Sequence, residues 1–335
     1  MNNNSGDIQL TPAQIDFCKK NITAFTEEEW HACLAGKAGS DRSFLRISPR
    51  GGAGPSAILV LWDSSDRDWD RFFDIHKQVS QTISVLPEIY ASDRRYGLIL
   101  EEDCGPLTLK TFISDNPSTE AVEEMYRRVI DTLAMWQHIP VEKGSPIASR
   151  ILDKEMLLWE TEYFSIHCVS EYCGLDVLLT DDWESERIRL AEDVAALPLV
   201  CLHRDFQSEN IMVKNDTLKF VDYQGARLGP AEYDIASLLY DPYISVLTDS
   251  IRNRLFDYYI KQQNGSVTAH TFQIAALQRL TQALGAYGNL SLHKGKEQYK
   301  QFVPVALKHL SSIFDYENDY PCLQGIVGEC LKRVE

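Results

Sequence analysis

Apolar residues recur along this chain with two different periods, and the change between them divides it. "TPAQIDFCKKNITAF" opens with Thr11 as an N-cap, Pro12 in the first helical position and Gln14 where a capping box needs it. Ile15, Cys18 and Ile22 then recur at helical spacing, so a helix is predicted here. "AGKAGSDRSFLRIS", the Gly/Pro-rich "PRGGAGPS" and "AILVLWD" read as two strands joined by a flexible turn. In "DRDWDRFFDIHKQVSQTI", Trp69, Phe72, Phe73, Ile75 and Val79 fall near a 3.6 period and predict a second helix. "LPEIYASDRRYGLILEEDCG" predicts two more strands parted by the turn-like "SDRR". Helix, two strands, helix, two strands describe a small mixed lobe ending near Asp103.

Beyond Asp103 the apolar pattern is that of long amphipathic helices. "STEAVEEMYRRVIDTLAMWQHI", capped at Ser118 or Thr119, and "LDKEMLLWETEYFSIHCV" are the clearest. One region departs: "LPLVCL" and "IMVKNDTLKFVDYQ" read as short strands on either side of the polar run "HRDFQSEN". The expected fold class is α+β. A small β-rich N-terminal lobe, residues 1–103 with an extra N-terminal helix, precedes a larger, mainly helical C-terminal lobe, residues 104–335. No internal repeat or low-complexity tract interrupts this plan.

Composition narrows the partners. The chain has 335 residues and a formal net charge of −16, which disfavours polyanions, so nucleic acid and anionic membrane are not expected partners. Its 8 cysteines include no C-x-x-C pair and several sit in apolar contexts, as expected of free thiols in a reducing compartment. "MNNNSGDIQL" has neither the basic nor the apolar stretch of a secretion leader, and no apolar run approaches the roughly 18 residues of a membrane span. A cytoplasmic protein acting on a small molecule is the expectation; oligomeric state is not legible.

The polar run carries the chemistry. "HRDFQSEN" fits H-R-D-x-x-x-x-N, and Asp222 in "LKFVDYQG" follows Asn210 at the end of the next strand. Phosphoryl transfer needs a group to orient and deprotonate the attacking hydroxyl, and oxygen ligands for the magnesium that accompanies ATP. Asp205 suits the first role; Asn210 and Asp222 suit the second. His203 and Arg204 read as loop braces. His76, His138 and His167 lie within or at the ends of helices without metal-ligand spacing, so no zinc site is indicated.

"LHRDFQSENIMV", "FVDYQGARLGPAEYDIASLLYDPY", "LILEEDCG" and "LQRLTQALGAYGNLSLHKGKEQY" together resemble the aminoglycoside phosphotransferase/choline kinase-like superfamily. The pattern from Asp222 to Asp241 and the helix with Gln278 and Arg279 are most similar to its anomeric amino-sugar kinases, which phosphorylate N-acetylmuramate and N-acetylglucosamine at C1. The resemblance runs from about Gly36 to Leu310. It implies a protein-kinase-like bilobal fold, ATP in the interlobe cleft, magnesium on Asn210 and Asp222, and Asp205 as the base. It also implies nucleotide contacts from Ser40, Arg42, Ser43, Glu101, Glu102 and Cys104, and acceptor contacts from Asp205, Gln207, Gln224, Arg227 and Asp241, with Tyr243 a further candidate. Asp234 would brace the loop beside His203 and Arg204. Cell-wall sugar recycling is the context it suggests.

The chain departs from the pattern in places. "AILVLWDSSD" has Trp62 and Asp63 where the wider superfamily carries a phosphate-clamping Lys; Arg42 or Arg46 would have to substitute. There is no G-x-G-x-x-G, and Gln207 stands where the sugar kinases usually have His. Glu155 and Glu160, beside Trp159, read either as solvent-facing helix acids or as a sugar platform. The sequence therefore leaves three readings. The first is an anomeric amino-sugar kinase, and the second a kinase of another small alcohol such as choline or an aminoglycoside. The third is a nucleotide-binding module without transfer activity.

Overall fold

Thr11 caps the first helix, α1 (Pro12–Asn21), as its sequence requires: Gln14 Oε1 accepts the Thr11 N–H at 2.8 Å while the Thr11 hydroxyl accepts the Gln14 N–H at 3.4 Å. The structure, a computed structural model, describes residues 7–37, 42–51, 54–115, 117–214, 217–263, 265–316 and 319–334. Ser40, expected at the nucleotide, lies outside the described residues.

After α1 come β1 (Trp30–Lys37), β2 (Ser43–Pro49), β3 (Ala57–Leu61), α2 (Trp69–Ser80), β4 (Ile89–Asp93) and β5 (Leu98–Glu102). The five strands form one antiparallel sheet in the order β1-β2-β3-β5-β4. β3 reads as an unbroken apolar run because its first four residues are all buried. β1 is the strand that the hydrophobic pattern does not announce. Its register shifts between Leu34 and Gly36 and Leu34 is exposed, so the alternation that would mark it is broken. Phe17 and Cys18 of α1 pack with Trp30, Leu45, Ile47, Leu59 and Leu100 of the strands in one apolar core. Trp62, just past β3, meets Trp69 and Phe72 of α2, both at 5.6 Å between ring centroids.

The second half contributes α3 (Leu109–Ser114), α4 (Thr119–Gln137), α5 (Lys154–Phe164), which runs into a π-helical turn (Ser165–Ser170), and α6 (Asp181–Ala195). Four short strands follow: β6 (Leu199–Leu202), β7 (Ile211–Lys214), β8 (Thr217–Phe220) and β9 (Arg227–Pro230), pairing as β6 with β9 and β7 with β8. The chain closes with α7 (Ala231–Leu239), α8 (Asp249–Gln262), α9 (Ala269–Leu292), α10 (Phe302–Ile313) and α11 (Pro321–Val334). α9 is buried over most of its length, which is why its apolar residues show no single stripe.

The chain forms two compact units, Met1–Thr108 with Met212–Gln224, and Leu109–Ile211 with Gly225–Glu335. The β7–β8 hairpin thus lies with the N-terminal sheet, not with the helices that flank it in sequence. The Phe220 N–H donates to the Val85 carbonyl at 2.7 Å and the Val213 N–H to that of Leu107 at 2.8 Å. Lys214 and Lys219 close on the Glu102 carboxylate from the hairpin at 2.9 and 3.1 Å. Among the described residues, no helix is long and apolar enough to cross a membrane.

Candidate active site

In the second unit the polar run leaves β6 at Leu202 and turns at once. Arg204 has φ +78°, a left-handed conformation that a non-glycine residue holds only when its surroundings enforce it. Asp234, in the first turn of α7, enforces it: its carboxylate accepts the N–H groups of His203 at 2.7 Å and Arg204 at 2.9 Å. At the other end of the loop, Asp241 Oδ2 accepts the Ser208 N–H at 2.7 Å and Oδ1 the Tyr243 N–H at 2.9 Å. Asp241, expected at the acceptor, is 2% exposed and has both oxygens committed to backbone. Between these anchors, Asn210 Nδ2 donates to the Asp205 carbonyl at 2.9 Å, and the half-buried Gln207 closes the turn by accepting the Asn210 N–H.

The surroundings of Asp205 are cationic. Arg204 lies 3.5 Å from its carboxylate and reaches Glu160 at 3.6 Å. Arg279 donates to Ser237 Oγ at 3.1 Å and lies over the Tyr233 ring, and the buried Arg227 donates to the Gly225 carbonyl at 3.0 Å. Withdrawal from water would raise the Asp205 carboxyl, but Arg204, followed by Arg279, His203 and Arg227, holds it below the usual aspartate value. Burial, together with the Arg204 charge, brings Arg227 itself down to about 10.

Glu160 is the residue that sequence reasoning placed least well. It is fully buried and accepts the Tyr233 hydroxyl at 3.0 Å and Gln278 Nε2 at 3.2 Å, so it supports Arg204 from behind. The signal was present: Leu157, Glu160, Thr161 and Phe164 are spaced along one helical face, and all are buried. Glu155, by contrast, is exposed.

In the first unit, Asp222 also takes a left-handed backbone, φ +63°. Its Oδ1 accepts Arg42 Nη2 at 2.5 Å and Gln224 Nε2 at 2.7 Å, and Arg42 Nη1 reaches Gln224 Oε1 at 3.3 Å. Arg71 fixes the turn by donating to the Gln224 carbonyl at 3.0 Å. The Arg42 guanidinium lies over the Trp62 ring, 4.9 Å from its centroid. Arg46 is engaged elsewhere, forked onto Asp103 at 2.7 and 3.0 Å, with Ser56 on the same carboxylate.

The other nucleotide candidates differ in their surroundings. Ser43 opens β2 and is exposed; Glu101 is buried, which raises its carboxyl to about 7. Glu102 is held by the two hairpin lysines, and burial pushes the Cys104 thiol up to about 12.

Arg42→Ala is therefore expected to raise the KM for ATP about 10–100-fold, the loss of one charge-assisted contact to phosphate, and Arg46→Ala far less. Steady-state kinetics over ATP concentration decide this; equal and negligible effects would remove both residues from the phosphate site.

The donors nominated for magnesium fit a hard cation. With Asn210 Nδ2 spent on the Asp205 carbonyl, nothing among the described residues donates to its Oδ1, and the Asp222 side chain is 40% exposed. A carboxamide oxygen and a carboxylate suit magnesium and not a thiophilic metal.

The phosphotransferase enzyme family profile matches residues 34–270 of this chain. An N-acetylmuramate/N-acetylglucosamine kinase of Pseudomonas putida is 25% identical over 338 aligned positions, covering 96% of this chain and 97% of that protein. An ADP-bound aminoglycoside phosphotransferase superposes with a TM-score of 0.59 at 15% identity, covering 91% of this chain and 99% of the other. An ethanolamine kinase of Plasmodium vivax superposes with a TM-score of 0.61 at 12% identity, covering 93% and 97%. A five-stranded antiparallel sheet followed by a mostly helical region is thus a protein-kinase-like fold shared with these structures.

Proposed function

Because the chain belongs to the phosphotransferase enzyme family, whose members phosphorylate small molecules, we propose that it transfers the γ-phosphate of ATP to the anomeric hydroxyl of an amino sugar, N-acetylmuramate or N-acetylglucosamine. One observation supports the choice of acceptor: Arg204 lies 3.5 Å from the Asp205 carboxylate, and the charges of Arg279 and Arg227 add to its pull on that group. A cationic acceptor such as choline or an aminoglycoside meets like charge there. A neutral sugar, or one bearing the carboxylate of a muramic acid, does not.

In this reading Asp205 accepts the proton of the attacking hydroxyl and holds that oxygen in line with the phosphate. A carboxylate kept ionised below its usual range is a weak base, yet an anomeric hydroxyl is more acidic than an ordinary alcohol because the ring oxygen withdraws electron density. Base and acceptor are therefore matched. Arg42 supplies the positive charge that the missing lysine would give to the phosphates, and Gln207 contacts the acceptor. Magnesium, for which Asn210 and Asp222 are the proposed ligands, supplies charge neutralisation on the phosphates.

The site of phosphorylation has a direct signature. Transfer to C1 destroys the reducing end, whereas transfer to C3 or C6 leaves it intact. With N-acetylglucosamine or N-acetylmuramate, reducing-sugar signal is expected to fall in step with ADP release, and mild acid to restore it. ADP accumulating at constant reducing signal would overturn the anomeric assignment.

A further inference from the structure

The second unit carries a group of side chains that phosphoryl transfer does not use. His167 lies in the π-turn that ends α5, Glu171 follows that turn directly, and His293 caps α9. Glu171 Oε2 meets His167 Nδ1 at 2.6 Å and His293 Nε2 at 2.8 Å, and the donor atoms of all three residues lie within 4.8 Å of one another. Their spacing along the chain hides the group, because His293 is 122 residues from Glu171.

The scaffold under these residues leaves little room to move. A Cβ on Gly288 would lie 2.2 Å from the His167 carbonyl oxygen, and one on Gly285 would lie 2.8 Å from the Phe164 nitrogen. α9 therefore rests with bare backbone on the end of α5 and its π-turn. His293 stands just beyond that contact, its N–H bonded to the Asn289 carbonyl at 2.9 Å. The His167 ring is set edge-on against Tyr163 at 4.6 Å, and Tyr163 stacks on Trp159 at 5.0 Å. π-turns of this kind recur at functional sites because they re-aim side chains that a regular helix would spread.

We propose that His167, Glu171 and His293 bind a divalent transition metal of the zinc class, with water completing the shell. Two imidazoles and one carboxylate are a zinc-type donor set, whereas magnesium takes oxygen donors and does not compete for it. At metal–ligand bonds of about 2.1 Å, tetrahedral ligand atoms lie about 3.4 Å apart. The two Glu171 contacts, 2.6 and 2.8 Å, lengthen to that spacing by about 0.8 and 0.6 Å, within the reach of side-chain rotations. The metal ties the end of α5 to the end of α9. These are the helices whose Glu160 and Gln278 support Arg204.

The main rival donors are thiols. Cys168 and Cys173 belong to the same stretch of chain, and both interact with Cys330. The test separates the two donor sets. The chelator-treated full-length protein, in excess magnesium, is titrated with zinc chloride by calorimetry. One equivalent is expected to bind saturably and to raise Tm by about 2–4 °C. Glu171→Gln and His293→Ala, both at exposed positions, are expected to weaken binding at least ~10-fold each while their metal-free Tm stays near wild type. Cobalt(II) in place of zinc is expected to give visible d–d bands without a near-ultraviolet thiolate band. Absence of saturable uptake, equal affinity in the variants, or a thiolate–cobalt band would each overturn the proposal.

Discussion

Asp205→Asn is expected to lower kcat by ~10²–10⁴-fold and to leave the KM for ATP near its wild-type value, the usual cost of losing a positioned general base. The substitution keeps size and polarity, and the loop that holds residue 205 is braced by backbone contacts to Asp234 and Asp241, not by the Asp205 carboxylate. Binding and folding are thus spared. If Asp205 is the base, the same carboxylate is expected to set the acid limb of the pH profile. Arg204 and its neighbours hold the Asp205 carboxyl below the usual aspartate range, so the base is expected to stay ionised through that range and activity to be lost only as pH falls through the depressed value. In kcat/KM measured against pH, a limb near 6 or 7 would mean that another group titrates, and wild-type turnover in Asp205→Asn would remove Asp205 from the chemistry. Asp222→Ala acts differently: it raises the KM for magnesium–ATP, because it removes a proposed metal ligand and the partner of Arg42.

Glu160→Ala destabilises the second unit by about 3–5 kcal/mol, the range found when one partner of a buried ion pair is removed. The reason is what remains. Arg204 loses the carboxylate 3.6 Å away and the buried Tyr233 hydroxyl loses its acceptor, while Gln278 Nε2 keeps the Leu157 carbonyl at 2.9 Å. Glu160→Gln keeps an acceptor for Tyr233 but not the charge, and falls between wild type and alanine. Urea unfolding followed by tryptophan fluorescence measures the series. A loss below about 1 kcal/mol for alanine would mean that Asp205, 3.5 Å from Arg204, suffices as its partner and that Glu160 is not its support. Because Arg204 also borders Asp205, Glu160→Ala lowers turnover as well, whereas Glu155→Ala, on the exposed face of the same helix, changes neither.

The parts of the fold that depend on neighbouring residues were legible in the sequence. α1 announces itself through Thr11, Pro12 and Gln14, all within one turn, and α4 through Ser118, whose side chain accepts the Ala121 N–H. β1 was not legible, because a register shift breaks its alternation and Leu34 is exposed. The π-turn after α5 continues a pattern that reads as plain helix through "SIHCV", and the glycines of α9 packed against it lie more than a hundred residues away. The loop spacing alone nominates Asp205, Asn210 and Asp222. Position near the loop apex favours Arg42 over Arg46 for the phosphates, but their partners Asp222 and Asp103, 180 and 57 residues away, are not legible. Glu160 had the spacing of a core position, but its charge argued for solvent, and the buried guanidinium that reverses the argument comes from another element.

The β7–β8 hairpin gives the first unit a history as well as a shape. Glu102 is synthesised long before the lysines that neutralise it: Lys214 follows 112 residues later, and Lys219 later still. At ribosomal rates of about 5–20 residues per second, that gap is roughly 6–22 s. During this time the nascent sheet ends in an uncompensated acid beside its newest strand, with the Val85 and Leu107 carbonyls that the hairpin will engage still awaiting their donors. The N-terminal segment therefore leaves the ribosome as an unfinished body, completed only after α3 to α6 have emerged. Birth order and spatial order run against each other in this chain, and a fragment cut after Thr108 would inherit the vacancy permanently.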